Sequence, residues 1–445
     1  MEKLLHYCWK HKKFPLGELF TTDGRRVEVI DPGLHNRNAG PDFFNAKVRI
    51  DGTLWVGNVE IHDQSSDWYA HGHDRDAAYD NVVLHVATVI DTEVRTHEGH
   101  TVPQLQMDVP EEVRVHYHEL ITTDEYPPCY RIIPDLSRLT VHAWMSALQV
   151  ERLEQKTQDI ARRAKQCNGS WEDAYFVTMA RNFGFGINTD AFEMWAGHIP
   201  LQAVAHHRDD LFQIEAIFMG QAGLLANARN GKADDYFLRL QKEYNYLAHK
   251  FSMQPMDVNI WRFLRLRPQN FPYIRIAQLA QLHHSRKAGL SQLLECTTLK
   301  ELQALFSTTV TPYWETHYIF GKESARNTKK LSQHSLLLLI LNTAIPVLFA
   351  YGRSHSREEL CDRAFDLLEQ LKPEDNHIVR MWQQCGLEVQ TAGDSQALIQ
   401  LKKQYCDRKD CLRCRIGHEY LMGERKSPLI PPRGCQEDGV KNKES

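Results

Sequence analysis

Residues 38–62 read NAGPDFFNAKVRIDGTLWVGNVEIH. The stretch predicts a loop ending in Gly40-Pro41-Asp42, a strand from Phe43 to Ile50, an Asp51-Gly52 turn and a strand from Leu54 to His62. Asp-Gly between two β-rich runs is a strong hairpin signal, because glycine takes the positive φ that the turn needs. Asp42, Glu60 and His62 stand at the open end of this hairpin. Two carboxylates and an imidazole converging there could hold a divalent cation and a water. Side chains alternate between faces along a strand, so a strict two-residue turn pairs Asp42 with Ile61 and points Asp42 and Glu60 to opposite faces. One extra residue near Gly52 pairs Asp42 with His62 instead and brings all three to one face. Phe44, Val48, Ile50, Leu54 and Val56 would then pack behind them, and the functional reading requires that bulge.

Outward from the hairpin the chain reads as an α/β unit. Glu2 to His11 places Leu4, Leu5, Cys8 and Trp9 at helical spacing. A Gly24 turn precedes a strand from Arg26 to Ile30, which Asp31-Pro32-Gly33 ends. After the hairpin, Ser65-Ser66-Asp67 signals a helix start, and the polar segment Trp68 to Asp80 carries Gly72 in its middle. Asn81 to Ile90 is continuous and β-branched, the pattern of a strand buried on both faces. Val102 to Val109 offers a last strand. Tyr126-Pro127-Pro128 through Pro134 reads as a linker. Beyond it the period is helical: Leu139 to Arg163, a capped helix from Ser170 that stops at Asn182-Phe183-Gly184, then Leu211–Ala228, Asp234–Phe251, Ile274–His283, Thr298–Phe306, Leu331–Tyr351 and Arg357–Leu371. Ser395 to Tyr405 predicts a helix running into Cys406-x4-Cys411-x2-Cys414-x3-His418. From Lys426 the tail is proline- and charge-rich, a composition that does not bury a core.

At 445 residues the chain is long enough for two or three domains, each with its own core. A net charge of −4 excludes a globally basic nucleic-acid-binding protein, so any such contact must be a local patch. Met1 opens directly on a polar, aromatic helix, so no signal peptide is expected. The run Leu336 to Tyr351 is shorter than the ~20 apolar residues of a spanning helix, and Asn342, Thr343 and Pro346 interrupt it. It is expected to be a buried core helix, with no membrane partner. The ten cysteines carry no secretory pairing pattern, which fits a reducing, cytoplasmic setting.

Three further clusters carry chemistry. His71-Gly72-His73-Asp74, followed by Asp76, lies just after the hairpin's polar end and could join the same cation site or contact a phosphate. Exposed histidines beside a glycine break are the blander reading. His85, inside a buried strand, is expected to be a hydrogen-bonded core residue. Cys406, Cys411, Cys414 and His418 have the ligand types and count of a closed Cys3His zinc site. An iron–sulfur cluster is the alternative, with a fourth cysteine such as Cys435 or Cys385 in place of His418. In Trp261 to Arg275, Arg262, Arg265, Arg267 and Arg275 alternate with Trp261, Phe263, Phe271 and Tyr273, the mix that grips phosphates and stacks bases. Arginines anchoring an irregular segment would look the same.

Pro41-Asp42 followed by Glu60-Ile61-His62, within the order αβββαβ, resembles the PD-(D/E)XK nuclease superfamily, whose pattern ends in lysine where this chain has His62. The resemblance implies that Asp42 and Glu60 ligate Mg2+ (or Mn2+) together with a main-chain carbonyl next to Glu60, and that Glu2 matches a helical carboxylate. Some nucleases of that superfamily also carry an iron–sulfur cluster. His62 could replace the lysine only if a neighbouring carboxylate raised its pKa; otherwise it would act as base or metal ligand. LLHYCWK, the hairpin block through YDNVVLHV, LRLRPQNFPYIRIAQLA and QYC-x4-CLRCRIGH together resemble a bacterial family of unknown function, the DUF2851 type.

The expected fold class is α+β. A restriction-endonuclease-like α/β core spans 1–125, an all-α domain 135–400 and a Cys/His metal-binding segment 401–422, with a disordered tail over 423–445. The expected function is metal-dependent phosphodiester cleavage of DNA or RNA. Asp42 and Glu60 would bind the cation, His62 handle the water, Glu2 assist and Arg262 to Arg275 hold the strand. The alternative is a nuclease fold without catalysis, serving as a nucleic-acid or protein interaction module.

Overall fold

The structure, a computed structural model, describes residues 2–423 apart from 15–16, 37, 124–125, 229–231 and 286–287. The tail from residue 424, and Cys435 with it, lies outside the described residues. The protein is a mixed α/β chain of two compact units. One takes residues 1–142, 381–387 and those from 401 on, and the other takes 143–380 and 388–400. The stretch read as a linker, Tyr126 to Pro134, therefore falls inside the first unit. Cys129, Tyr130 and Ile133 are buried there, which an exposed linker could not offer.

The first unit is built on a mixed sheet. Helix α1 (Glu2–Lys10) buries Leu4, Leu5, Cys8 and Trp9, and the Trp9 indole N–H donates to the Pro32 carbonyl at 3.0 Å. The strands are β1 (Leu19–Phe20), β2 (Arg26–Asp31), β3 (Leu34–His35), β4 (Phe43–Ile50), β5 (Thr53–Gln64), β6 (Val82–Val89) and β7 (Gln104–Gln106). The sheet order is β1-β2-β4-β5-β6-β7, with β3 paired to part of β4. Pairing is antiparallel from β1 to β5, then parallel for β5–β6 and β6–β7. The polar segment after β5 folds as one short helix, α2 (Asp67–Ala70), and two 3-10 turns, His73–Arg75 and Ala77–Tyr79. Strand β6 is buried at Leu84, His85, Val86 and Ala87, as its continuous β-branched run predicts.

The hairpin turn is the two-residue kind. Ile50 pairs with Thr53, while Asp51 and Gly52 sit at φ +47° and +83°. No bulge lies near Gly52. The extra residue is on β4 instead: Ala46 pairs with Gly57 but Phe43 pairs with Val59, so Phe44 and Asn45 oppose Asn58 alone. Asn45 takes φ +53°, a left-handed conformation that asparagine tolerates better than most residues. The bulge inverts the facing of everything before it. Phe43, Ala46, Val48 and Ile50 now form one buried row with Val59 and Ile61, on the reverse of the face that bears Glu60. Leu54 and Val56, expected in the core, lie at the projecting tip and are 53% and 58% exposed.

The second unit is helical apart from a small hairpin, His317–Ile319 with Lys322–Glu323. Ser170 caps the helix Trp171–Phe183, its hydroxyl accepting from the Asp173 N–H, and Thr298 with Glu301 forms a capping box. The apolar run around residue 340 lies in a helix, Gln333–Ser354, long and apolar enough to cross a membrane by composition. Its residues from Leu336 to Ala350 join the helical core. Pro346 has no N–H to give and displaces the turn before it, which widens to a π-type turn at Ile340–Ala344. Side chains satisfy the freed carbonyls: Asn182 donates to Asn342 at 2.8 Å and Lys156 to Leu341 at 3.4 Å.

Candidate metal centre

The β4 bulge decides the site. Continuing the Phe43–Val59 register sets Asp42 directly opposite Glu60. Two backbone amides lock the pair: Asp42 N–H donates to Glu60 Oε2 at 2.9 Å, and Ile61 N–H donates to Asp42 Oδ2 at 3.0 Å. Glu60 is 5% exposed and turns its other oxygen, Oε1, inward. That oxygen lies 3.2 Å from His73 Nε2 and 3.6 Å from His62 Nε2. His62 follows Glu60 by two positions and shares its face, and His85 is Glu60's partner on β6. Asp42, Glu60, His62 and His85 thus occupy one side of the sheet.

Neighbouring elements complete the cluster. His71 and His73 flank Gly72, whose left-handed backbone turns the chain between them. Tyr79 stacks on the His73 ring with centroids 3.8 Å apart, and Trp68 meets its edge. Trp68 is itself fixed by donating its indole N–H to the Arg95 carbonyl at 2.9 Å. From α1, His6 Nε2 lies 3.3 Å from Asp42 Oδ2 and 3.8 Å from Glu2 Oε1. Glu2 thus reaches the cluster through His6.

The ligand atoms of His62, His71 and His73 all lie within 4.8 Å of one another. The Nε2 atoms of His6 and His73 are buried without a hydrogen bond of good geometry, although each faces a carboxylate. Buried polar nitrogens are seldom left so. Imidazole nitrogens and carboxylate oxygens gathered this way are the donor set of a divalent cation, and Glu60, His62, His71 and His73 are the residues that could hold one. His62 Nδ1 lies 2.9 Å from His85 Nε2, and His62 Nε2 lies 3.2 Å from His71 Nδ1. With His62 donating from Nδ1 to His85, its Nε2 lone pair turns toward Glu60, the outer-ring arrangement of metal-bound histidines.

Electrostatics separates these groups. Burial, reinforced by the imidazoles of His85, His73, His71 and His6, pushes His62 down to about 2. Burial likewise takes His85 to about 4. His62 is therefore neutral at physiological pH and carries no positive charge there. For His6, burial works downward, but the Asp42 carboxylate and then Glu2 outweigh it and raise the pKa. Burial raises Glu60, with the charge of Asp42 adding to it, against the opposing contact to His73.

The other expected site residues fare differently. His418 Nδ1 lies 2.8 Å from the Tyr7 hydroxyl and its ring 4.5 Å from that of His11, both in α1 and its neighbourhood. In the helical unit, Arg262, Arg265 and Arg267 are exposed. Arg275 is not: it is 5% exposed, donates to Gln278 at 2.8 Å and Asn270 at 2.6 Å, and lies over the Phe185 ring. Burial pushes it down to about 10. Trp261 and Tyr273 are core residues as well, and Trp261 donates to the Ala222 carbonyl at 2.8 Å. Phe263 and Phe271 are half-buried, so two of the four expected rings are core and two lie partly accessible near the three exposed arginines.

Sequence reading missed His6, whose signal was its place one turn after Glu2, and left His73 undecided. No curated protein and no solved structure matches the chain. A family model described as a protein of unknown function matches residues 2–377, which takes in the whole cluster but stops short of Cys406. The chain belongs to the DUF2851 family.

Proposed function

We propose that the sheet-bearing unit is a metal-dependent phosphodiesterase acting on nucleic acid, built on a core of the PD-(D/E)XK kind. The observation that carries this reading is the pairing of Asp42 with Glu60 across β4 and β5, one at the start of a strand and the other near the end of the next. The order of elements supports it: a helix, antiparallel β2, β4 and β5 with the short β1 and β3 beside them, short helical turns and β6, parallel to β5. The donor set revises the expected ion. Three imidazoles beside one carboxylate suit a borderline cation such as Zn2+ best, and Mn2+, which accepts nitrogen beside oxygen, better than Mg2+, which keeps to oxygen.

A cation held by Glu60, His62, His71 and His73 would acidify a bound water and offset charge on the phosphate oxygens. The chain's own groups have separate tasks. The Asp42 and Ile61 amides fix the two carboxylates, His85 sets the tautomer of His62, and half-buried Asp42 is paired with His6. Exposed Arg262, Arg265 and Arg267 offer phosphate contacts on the helical unit. One observation favours the alternative of a non-catalytic interaction module: the lysine position holds an imidazole kept neutral by its surroundings.

The test is cleavage of labelled single- and double-stranded DNA and RNA by the full chain with Mn2+, Zn2+ or Mg2+, beside Glu60→Gln and Asp42→Asn. Cation-dependent cleavage abolished in both variants is the expected result. Cation binding without turnover on any substrate would leave the interaction module as the reading. No cation binding at all would end both metal readings of this site.

A further inference from the structure

A second cluster lies in the same unit, away from the histidines. The loop after α3 (Glu111–Thr122) and the segment from residue 402 are tied together by side chains. Tyr126 donates to Asp407 Oδ1 at 3.0 Å and also bonds the Cys406 thiol. Lys402 Nζ lies 4.6 Å over the Tyr126 ring, and Lys409 donates to the Ile121 carbonyl at 2.7 Å. Three residues after Tyr126 comes Cys129, at the start of the 3-10 turn Tyr130–Asp135.

The partner segment is tightly wound, and its Cys406 meets Tyr126 of that loop. Lys402–Cys406 is a π-type turn, Lys409 takes φ +52°, and Lys409 N–H donates back to the Cys406 carbonyl at 3.0 Å. Cys411–Arg413 is a 3-10 turn, and Cys414 starts the helix Arg415–Met422. That helix comes very close to the knuckle. A Cβ on Gly417 would stand 2.2 Å from the Cys411 carbonyl, so no larger residue fits there without moving one of them.

Cys129 and Cys414 are buried, and Cys406 and Cys411 half-buried, with none of the four in a disulfide. They form one group. Cys406, Cys414 and Cys411 all lie within electrostatic reach of Cys129, and Cys414 and Cys411 within reach of Cys406. Four uncoordinated thiols in the interior offer one another little, because a thiol is only a weak hydrogen-bond donor.

We propose that Cys129, Cys406, Cys411 and Cys414 form a closed four-thiolate metal site. Cys129 takes the place that spacing alone gave to His418, whose ring nitrogen Nδ1 is bonded to Tyr7. The donor set is all sulfur, which selects a thiophilic centre: one Zn2+, or an iron–sulfur cluster. For zinc, four S–H bonds break, four Zn–S bonds form and four protons leave to solvent, with no change of oxidation state. The site clips the C-terminal segment onto the loop after α3, so metal affinity contributes directly to folding.

The experiment is metal and acid-labile sulfide analysis of the full chain, purified without oxygen or chelator. It is paired with mass-spectrometric mapping of which cysteines an alkylating reagent reaches before and after metal removal. Expected is either one zinc beyond any held by the histidine cluster, or iron with sulfide, and joint protection of Cys129, Cys406, Cys411 and Cys414 that is lost on removal. His418→Ala should keep the metal, and Cys129→Ser should lose it. Should Cys129→Ser fail to fold, the mapping of the native chain still decides. Reactive Cys129 beside three protected cysteines, or metal lost from His418→Ala, would overturn the assignment. So would a chain that takes up neither zinc nor iron on reconstitution.

Discussion

Asp42 faces Glu60 across β4 and β5 because Phe44 and Asn45 together oppose Asn58. A regular ladder from the Asp51-Gly52 turn would have set Asp42 against Ile61 and turned the two carboxylates to opposite sides. One inserted residue thus converts an ordinary hairpin into a cluster of two carboxylates and several imidazoles.

Removing that insertion should remove the site. Deletion of Asn45 restores the regular register, and Mn2+ affinity is expected to fall below detection in calorimetry while α-helical content stays unchanged. Asn45→Gly, which keeps φ +53° without strain, should retain native affinity. Asn45→Val should cost about 1–2 kcal/mol of stability in thermal or denaturant unfolding.

The imidazoles should contribute unequally. His73→Ala removes a nitrogen 3.2 Å from Glu60 Oε1 and is expected to weaken Mn2+ binding by roughly 10–100-fold or more. His85→Phe, which leaves every proposed ligand in place but frees the Nδ1 of His62, should weaken it by ~10-fold. Equal loss in both would contradict the division between ligand and orienting residue.

In the helical unit, Glu215 is fully buried and burial pushes its carboxyl up to about 7, against donation from Trp314, Tyr236 and Thr311. The sign follows from linkage. An unfolded glutamate ionises near 4.5 while the folded one stays protonated, so this group's stabilising contribution is complete below about 4.5 and lost as pH rises through about 7. The span corresponds to about 3 kcal/mol. Glu215→Gln keeps the site neutral at every pH, and the fall in unfolding free energy between pH 5 and 7.5 should shrink by about that amount.

The arginines should divide into two classes. Arg262→Ala, Arg265→Ala and Arg267→Ala combined should weaken binding of labelled nucleic acid and reduce its salt dependence, with Tm unchanged. Arg275→Ala should lower Tm by several degrees, since it strips Asn270 and Gln278 of their buried partner.

Much of the fold was legible because its signals are local. Asp-Gly announced the turn, the run at 81–90 the buried strand β6, and caps at Ser170 and Thr298 the helix starts. The bulge was misplaced because nothing near Gly52 distinguishes a two- from a three-residue loop. The informative residue was Asn45, a left-handed-tolerant side chain inside a strand. Histidine convergence was harder, since His6, His62, His73 and His85 come from four separate elements and only strand pairing brings them together. Cys129 was beyond reach for the same reason: no spacing rule links it to a knuckle near the far end of the chain. His418 had the right spacing, and its Nδ1 bonds Tyr7 while its ring packs against His11.

Mn2+ binding to the full chain, followed by electron paramagnetic resonance and calorimetry, tests the central claim most directly, because Mn2+ favours nitrogen and oxygen over the thiolates of the second cluster. The account predicts one site per chain, with affinity lost in Glu60→Gln and strongly reduced in His73→Ala, and unaffected by Cys129→Ser. Absence of binding to the native chain, or binding that survives Glu60→Gln unchanged, would contradict it.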